Sequence, residues 1–226
     1  ISWSSHRVWS LWGARYSQVS PRSSMITPGI SGRLSQNASA SRCTALRFSG
    51  GSGRLRSLRR RLGWPEQTLI LEHLASLSCA VEKQHAAQII VDFELEGARK
   101  ASWMPNADLL LQQLNHRQMP MAILTRNMRQ ATELCMQALN IPIDLVLTRD
   151  DAPAKPQPEG LWLIAERLGV MPNEMLYVGD YLFDIQTARN AGAYCCLYRY
   201  GDNHIYAEQA DLVVDDLLDL LVHLQK

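Results

Sequence analysis

Residues 177–184 are Tyr-Val-Gly-Asp-Tyr-Leu-Phe-Asp, and this stretch decides how the rest of the chain is interpreted. It follows an apolar run that predicts a buried strand, and it leads into a helical pattern. Gly179 permits a tight turn where the strand ends. Asp180 and Asp184 stand four residues apart, so a helical turn would bring together two carboxylates of the kind that Mg²⁺ prefers. In the structural alternative, Asp180 caps the helix and Asp184 occupies its first turn.

Similar strands are predicted on both sides of this stretch, with helical patterns between them. They lie at Met121–Leu124, Asp144–Leu147, Tyr194–Tyr198 and Leu212–Val214. Short apolar strands that alternate with helices form right-handed β-α-β units around a parallel sheet. The sequence therefore predicts an α/β fold with helices on both faces of a parallel sheet, whose ligands bind at the carboxyl ends of the strands.

A second strand end carries Thr125, Arg126 and Asn127 directly after Leu124. A hydroxyl followed by backbone N–H groups can bind an anionic oxygen. The alternative is a threonine that only caps the next helix.

A third strand end leads to Lys155, which lies among three prolines in the stretch Ala152-Pro-Ala-Lys-Pro-Gln-Pro158. Prolines stiffen a loop and lower the entropy cost of fixing the ammonium group. A fixed ammonium suits a phosphoryl group or a cluster of carboxylates. The alternative is a solvent-exposed lysine in a proline-rich turn.

Taken together, Thr125, Lys155 and the Gly179-Asp180 pair with Asp184 resemble the second, third and fourth motifs of the haloacid dehalogenase superfamily of phosphohydrolases. Within it, the chain looks like the phosphoglycolate-phosphatase-like members that carry a small helical cap. The resemblance spans about Leu62 to Lys226. It implies a helical cap at residues 62–103 and a Rossmann-like α/β core at residues 104–226.

The resemblance also implies a chemistry. Members hydrolyse a small phosphorylated metabolite with Mg²⁺: one Asp attacks phosphorus to form an aspartyl-phosphate, and a second Asp acts as general acid and base. By carry-over, Asp184 would support the metal by ligation or by pairing with Lys155. The implied phosphate-binding residues are Thr125, Arg126 (through its N–H), Asn127 and Lys155; the implied catalytic residues are Lys155, Thr125 and Asp180; the implied metal ligands are Asp180 and Asp184.

The first motif of this family, Asp-x-Asp-Gly-Thr after an apolar strand, is missing. No acidic residue precedes Glu66. The stretch Ile89 to Gly97 places Asp92 and Glu94 two residues apart after an apolar run, but it continues a helical pattern, so we reject it as the first motif. We therefore expect this copy of the enzyme to be inactive.

The composition changes near the same place. Residues 1–65 contain eleven Arg and no Asp, Glu or Lys, whereas residues 66–226 hold all 22 acidic residues. A targeting segment, a nucleic-acid-binding arm and a stretch translated from a shifted reading frame all fit this composition. Only the last also explains the missing motif. We therefore expect residues 1–61 to be aberrant and largely disordered, and the remainder to be marginally stable.

Other features of the sequence limit what the protein can be. No run of about 18 apolar residues exists, so we expect no membrane-spanning segment. Five cysteines without C-x-x-C spacing argue against a disulfide framework or a zinc site and fit a reducing compartment, the cytoplasm. The alternatives to a phosphatase are a non-catalytic protein that binds a phosphorylated ligand and, ranked last, a nucleic-acid-associated protein. Substrate identity and oligomeric state stay open.

Overall fold

The computed structural model describes residues 9–11 and 52–224, with only the backbone given for residues 9–11 and 52–54. The helices are α1 (Ser52–Leu62), α2 (Ile70–Ser76), α3 (Ala80–Arg99), α4 (Ala107–His116), α5 (Arg129–Leu139), α6 (Glu159–Leu168), α7 (Leu182–Ala191) and α8 (Leu220–His223). The strands are β1 (Trp9–Leu11), β2 (Ala122–Leu124), β3 (Leu145–Leu147), β4 (Leu176–Gly179), β5 (Tyr194–Tyr198) and β6 (Leu212–Val214).

Every strand pairing is parallel. One group of strands has the order β1-β4-β5-β6, and β2 pairs with β3 in a second group. Strand β1 also contacts β2, so the two groups lie side by side. The predicted parallel sheet is confirmed, and all its carboxyl ends point to one edge.

Helices cover both faces of the sheet, as predicted. Strand β4 shows this directly, because its successive side chains enter different cores. Leu176 and Val178 pack with leucines of α4 and with α8, whereas Tyr177 packs with α6 and α7. A strand buried on both faces carries an unbroken apolar run, which is the pattern that marked this segment in the sequence.

Helices α1 to α3 pack around a small hydrophobic core of their own, and these three helices are called the cap below. Leu58 of α1, Ile70 of α2, and Ile90 and Phe93 of α3 are buried against one another. The far end of α3 packs on the core domain, where Ala98 meets α5. Helix α3 therefore belongs to the cap at one end and to the core domain at the other. Because α3 covers residues 80–99, Asp92 and Glu94 are helical, as we expected when rejecting them as the first motif.

The expectation for residues 1–61 needs correction where the structure describes them. Residues 52–61 are helical, since Leu55, Leu58 and Leu62 recur at helical spacing and pack on the cap. Residues 9–11 are extended too: β1 pairs with β4 and contacts β2, so it lies between the two site strands. The rest of this segment, residues 1–8 and 12–51, lies outside the described residues.

The helical segment that closes the described part of the chain has two parts. It is a 3₁₀ turn at Leu217–Asp219 followed by the short helix α8. Asp216 begins the turn by accepting the N–H of Leu218 at 2.9 Å. In the part of the chain described, no helix combines the length and the apolar character that crossing a bilayer requires.

Candidate functional site

The three predicted strand ends meet at the carboxyl edge of the sheet. Thr125 follows β2, Lys155 lies in the loop between β3 and α6, and Asp180 and Asp184 follow β4. All four side chains are buried despite their polarity. Buried polar side chains cost free energy unless partners satisfy them, so their partners define what this edge can do.

Lys155 and Asp184 form an ion pair at the centre of this edge. The Lys155 Nζ lies 2.6 Å from Asp184 Oδ1. The same oxygen accepts the Tyr177 hydroxyl at 3.2 Å, and Oδ2 accepts the Tyr181 N–H at 3.1 Å. The Tyr177 hydroxyl also lies 3.4 Å from the carbonyl oxygen of Leu124, which immediately precedes Thr125. These contacts join the end of β2 to the end of β4.

Burial opposes the charges of this pair. Burial lowers the pKa of Lys155 below its ordinary value, while the Asp184 carboxylate acts in the opposite direction. Burial likewise raises the pKa of Asp184, against the effects of Lys155 and of the hydrogen bonds from Tyr181 and Tyr177. An anion bound beside Lys155 would favour the protonated ammonium and offset part of this cost. The site is therefore electrostatically prepared for a negative ligand.

Gly179 is required for a closer reason than the tight turn we predicted. A Cβ atom at this position would lie 2.2 Å from Cγ of Asp184, much closer than atoms can approach. The Asp184 carboxyl group occupies the space that a side chain on residue 179 would fill. Only glycine at this position lets the carboxylate reach Lys155.

The loop after β2 leaves one backbone donor available. The N–H of Thr125 donates to the Leu147 carbonyl at 2.9 Å, and that of Asn127 donates to Thr125 Oγ1 at 3.1 Å. The N–H of Met128 donates to a glutamate of α3. Among the described residues, the Arg126 N–H has no acceptor. Because Thr125 Oγ1 accepts a bond here, its own hydrogen is free to donate to a ligand.

The Arg126 side chain spans the boundary between core and cap. Its guanidinium pairs with Glu72 of α2 and lies 4.9 Å from the centre of the Phe183 ring. Cation–π contact and ion pairing together hold the guanidinium above the site. Neither partner was predicted from the sequence.

Asn203 is a further residue that the sequence did not reveal. Its amide nitrogen donates to the carbonyls of Asp180 at 2.8 Å and Tyr198 at 2.9 Å, and its Oδ1 accepts the Tyr200 N–H at 2.8 Å. The buried Asn203 ties the end of β5 to the backbone of Asp180, and no local pattern signals the contact with Asp180 because that residue is 23 positions away in sequence.

Comparison with known proteins identifies the family. A family model described as "Haloacid dehalogenase-like hydrolase" matches residues 44–198. This chain belongs to the haloacid dehalogenase-like hydrolase family. The resemblance drawn from three motifs is thereby confirmed.

Curated relatives of the family agree. A haloacid dehalogenase-like hydrolase domain-containing protein of Arabidopsis thaliana is 34% identical over 155 residues, which cover 66% of this chain and 63% of the relative. The phosphoglycolate phosphatase of Escherichia coli is 35% identical over 109 residues, which cover 46% of this chain and 43% of that enzyme. The chain thus spans less than two thirds of either relative. What the family model shows of this chain is a haloacid dehalogenase-like hydrolase domain.

Solved structures show the same fold. A hydrolase from Pseudomonas syringae superposes with a TM-score of 0.62 at 21% identity, covering 76% of this chain and 88% of the other. A predicted phosphoglycolate phosphatase from Haemophilus somnus gives a TM-score of 0.60 at 20% identity, with coverages of 76% and 89%. At such identities the likeness shows the fold, a Rossmann-like core in the manner of the haloacid dehalogenase family.

The described residues of the haloacid dehalogenase-like site do not by themselves form a complete set of metal ligands. Among residues 52–224, no group of three or more His, Cys, Asp or Glu side chains is placed to hold a metal ion. Both oxygens of Asp184 accept protein donors, so its contacts are those of a partner for Lys155. Asp180 and Asp184 as metal ligands stay predictions.

Proposed function

We propose that this edge of the sheet binds the phosphoryl group of a small phosphorylated metabolite. The observation that carries the proposal is the buried pair of Lys155 and Asp184 beside the loop of Thr125. That loop supplies the Arg126 N–H and the Thr125 hydroxyl as donors, and the ammonium of Lys155 supplies positive charge. Oriented donors and a fixed, buried cation are what a phosphoryl group requires.

Each side chain has a distinct part in this proposal. Thr125 and Arg126 donate to phosphoryl oxygens, while the N–H of Asn127 fixes the Thr125 hydroxyl. Lys155 neutralises developing charge on the phosphoryl group. Asp184 holds Lys155 in place and takes no direct part in binding.

The donor chemistry of Asp180 fits Mg²⁺. This ion commonly uses one or two carboxylates together with phosphate oxygens and water, so a single protein carboxylate suffices once phosphate is present. Asp180 would hold the ion, and Asn203 fixes the Asp180 backbone. When bound, Mg²⁺ would neutralise the repulsion between the carboxylates and the phosphate.

Family chemistry proceeds through an aspartyl-phosphate, but this chain offers no nucleophile in the expected region. No Asp or Glu precedes Glu66, and β1 carries none. We therefore propose phosphate binding without appreciable hydrolysis. We also propose that the Arg-rich front derives from a shifted reading frame. Translating the other two frames upstream of the Trp64 codon checks this, and finding no Asp-x-Asp-Gly-Thr there would contradict it.

The buried cysteines are an argument about the cellular compartment of the protein. Cys135, Cys195 and Cys196 are buried free thiols, and burial raises the pKa of Cys195 to about 12. We propose a reducing compartment, the cytoplasm, because buried thiols persist there without oxidation.

Binding of inorganic phosphate with Mg²⁺, measured by calorimetry, tests the proposed function. We expect Thr125→Val to weaken phosphate binding about tenfold, since it removes one hydrogen bond to a charged ligand. Thr187→Val is the matched control, because Thr187 is also buried but bonds to the carbonyl of Phe183 within α7. Its affinity should equal that of the native chain.

Two results would contradict the proposal. If the native chain fails to bind phosphate, the site assignment is wrong. If the chain hydrolyses p-nitrophenyl phosphate at a rate that Asp180→Ala abolishes, binding without turnover is wrong.

A further inference from the structure

Glu94 lies where the cap meets the loop that carries Arg126. It belongs to α3, yet its carboxylate faces the core domain and pairs with Arg149, a residue of the loop after β3. Side-chain exposure is 13% for Glu94 and 18% for Arg149, so the pair is largely removed from water. The sequence had drawn attention to Glu94 only as a rejected candidate for the first motif.

The pair is bonded to the backbone of the phosphate-binding loop. Glu94 Oε2 accepts the Met128 N–H at 3.0 Å. Arg149 Nη1 donates to the Arg126 carbonyl at 2.9 Å, and the Arg149 N–H lies 3.3 Å from the Asn127 carbonyl oxygen. Three consecutive residues of the loop are thus held by one ion pair.

These bonds fix the peptide units on both sides of the Arg126 N–H. The carbonyl of Arg126 points to Arg149, and the N–H of Met128 points to Glu94. On the other side, the N–H of Thr125 is held by Leu147. With its neighbours fixed, the Arg126 N–H keeps one direction, and a preorganised donor binds an anion without a reorganisation cost.

We propose that Glu94 and Arg149 are positioning residues that orient the Arg126 N–H toward a bound phosphoryl group. This inference rests on the proposed function, because it needs a phosphoryl group at the Thr125 loop. Glu94 acts from the cap, so the loop takes its binding geometry only when α3 is seated on the core domain. The cap therefore contributes to phosphate affinity without touching phosphate.

The chain offers a matched control on the same helix. Glu96 is two residues further along α3 and also forms ion pairs, but with Arg61 and Lys100 at the surface. It touches no part of the loop. Comparing Glu94→Ala with Glu96→Ala therefore separates orientation of the loop from the general loss of a carboxylate on α3.

The experiment measures the affinity of the full chain for inorganic phosphate with Mg²⁺, together with the NMR signal of the Arg126 amide. We expect Glu94→Ala to weaken phosphate binding about tenfold and to abolish the phosphate-induced shift of this amide. Glu94→Gln should restore part of the affinity, because its amide oxygen can still accept a hydrogen bond. Glu96→Ala should bind phosphate like the native chain.

The outcomes are distinct. If the native chain binds no phosphate, the proposed function fails and this inference fails with it. If the native chain binds phosphate and Glu94→Ala binds equally well, the proposed function stands and the positioning role is wrong. Should Glu94→Ala not fold, Arg149→Lys decides in its place, since it keeps the charge and loses the guanidinium geometry: weaker phosphate binding supports the role, and unchanged binding overturns it.

Discussion

Two ion pairs of the candidate site differ in burial: Lys155 with Asp184 within the core domain, and Arg126 with Glu72 of the cap. Lys155 and Asp184 are each 2% exposed, whereas Arg126 is 15% and Glu72 of the cap is 41% exposed. A buried pair is fixed because breaking it leaves a charge without solvent, while an exposed pair exchanges readily with water. The Lys155–Asp184 pair, which forms the floor of the site, is thus permanently formed. The Arg126–Glu72 contact with the cap is easily replaced by contacts with water.

The largest effect should come from breaking the buried pair. Lys155→Met keeps the length of the side chain but leaves the Asp184 carboxylate buried without its cation. We expect a loss of about 3–5 kcal/mol in the free energy of unfolding at neutral pH. Urea denaturation measures it, and the loss should shrink at low pH as Asp184 takes up a proton.

The double variant Lys155→Met/Asp184→Asn is the control for this prediction. It removes both charges, so we expect it to regain much of the lost stability. Equal stability of the single and double variants would show that the pair is not fixed by its burial, and the contrast with the cap pair would fail.

A smaller effect should follow from filling the space that Asp184 occupies. Gly179→Ala places a methyl group against the Asp184 carboxyl, and we expect a loss of about 1–3 kcal/mol together with weaker phosphate binding. In Gly160→Ala the added Cβ meets the terminal Cδ1 of Leu124 at 2.5 Å, an end that can rotate away. Thermal unfolding of both variants should show the larger drop for Gly179→Ala; the reverse order would contradict the close packing at Asp184.

A third ion pair, Asp151 with Arg129, has intermediate burial, and the pH dependence of its contribution to stability extends the comparison. Asp151 is 26% exposed and bonds to Arg129 and Thr148. Burial acts to raise its pKa, but the hydrogen bonds from Arg129 and Thr148 outweigh burial and leave the pKa below its ordinary value. A lowered carboxyl pKa stabilises the fold above the unfolded-state pKa, and this stability is lost as the pH falls through the folded-state pKa.

Asp151→Asn should therefore cost about 1–2 kcal/mol at neutral pH, and progressively less as the pH falls below the ordinary pKa of an aspartate. Urea denaturation at several pH values tests this. A constant difference between variant and native chain across that range would show that the Asp151 charge contributes nothing.

The smallest effect should come from the pair with the cap. Glu72→Gln is expected to change stability by less than about 0.5 kcal/mol, and that difference should vanish at high salt. Thermal unfolding at low and high ionic strength measures it. A loss comparable with that of Lys155→Met would mean that the cap is as firmly fixed as the floor of the site.

The sequence predicted the floor of the site better than its surroundings. Thr125, Lys155, Asp180 and Asp184 follow strands, and a parallel sheet brings such positions to one edge, so their meeting follows from topology. The partners of the loop do not: Glu94 and Arg149 are 55 residues apart and belong to different elements. No periodicity relates them, because their contact depends on how the cap sits on the core domain.

Two further differences have equally physical causes. The Arg-rich composition near residue 55 concealed the leucine spacing of α1, in which Leu58 packs inward while Arg56, Arg60 and Arg61 are exposed. Gly179 was expected to provide the backbone freedom for a tight turn. Its lack of a side chain instead leaves the space that the Asp184 carboxyl group occupies. A sequence shows that glycine is present without showing which of its two properties is used.

Strand β1 shows what the central position of the sheet requires of the segment that fills it. A sheet ladder recognises peptide groups, so a central position can be filled by any short segment that extends, whatever side chains it bears. Trp9–Leu11 fills that position here and contains no acidic residue. The pairing that completes the sheet and the side chains that would act on phosphorus are therefore separate requirements at this one position, and Trp9–Leu11 meets the first without supplying a carboxylate.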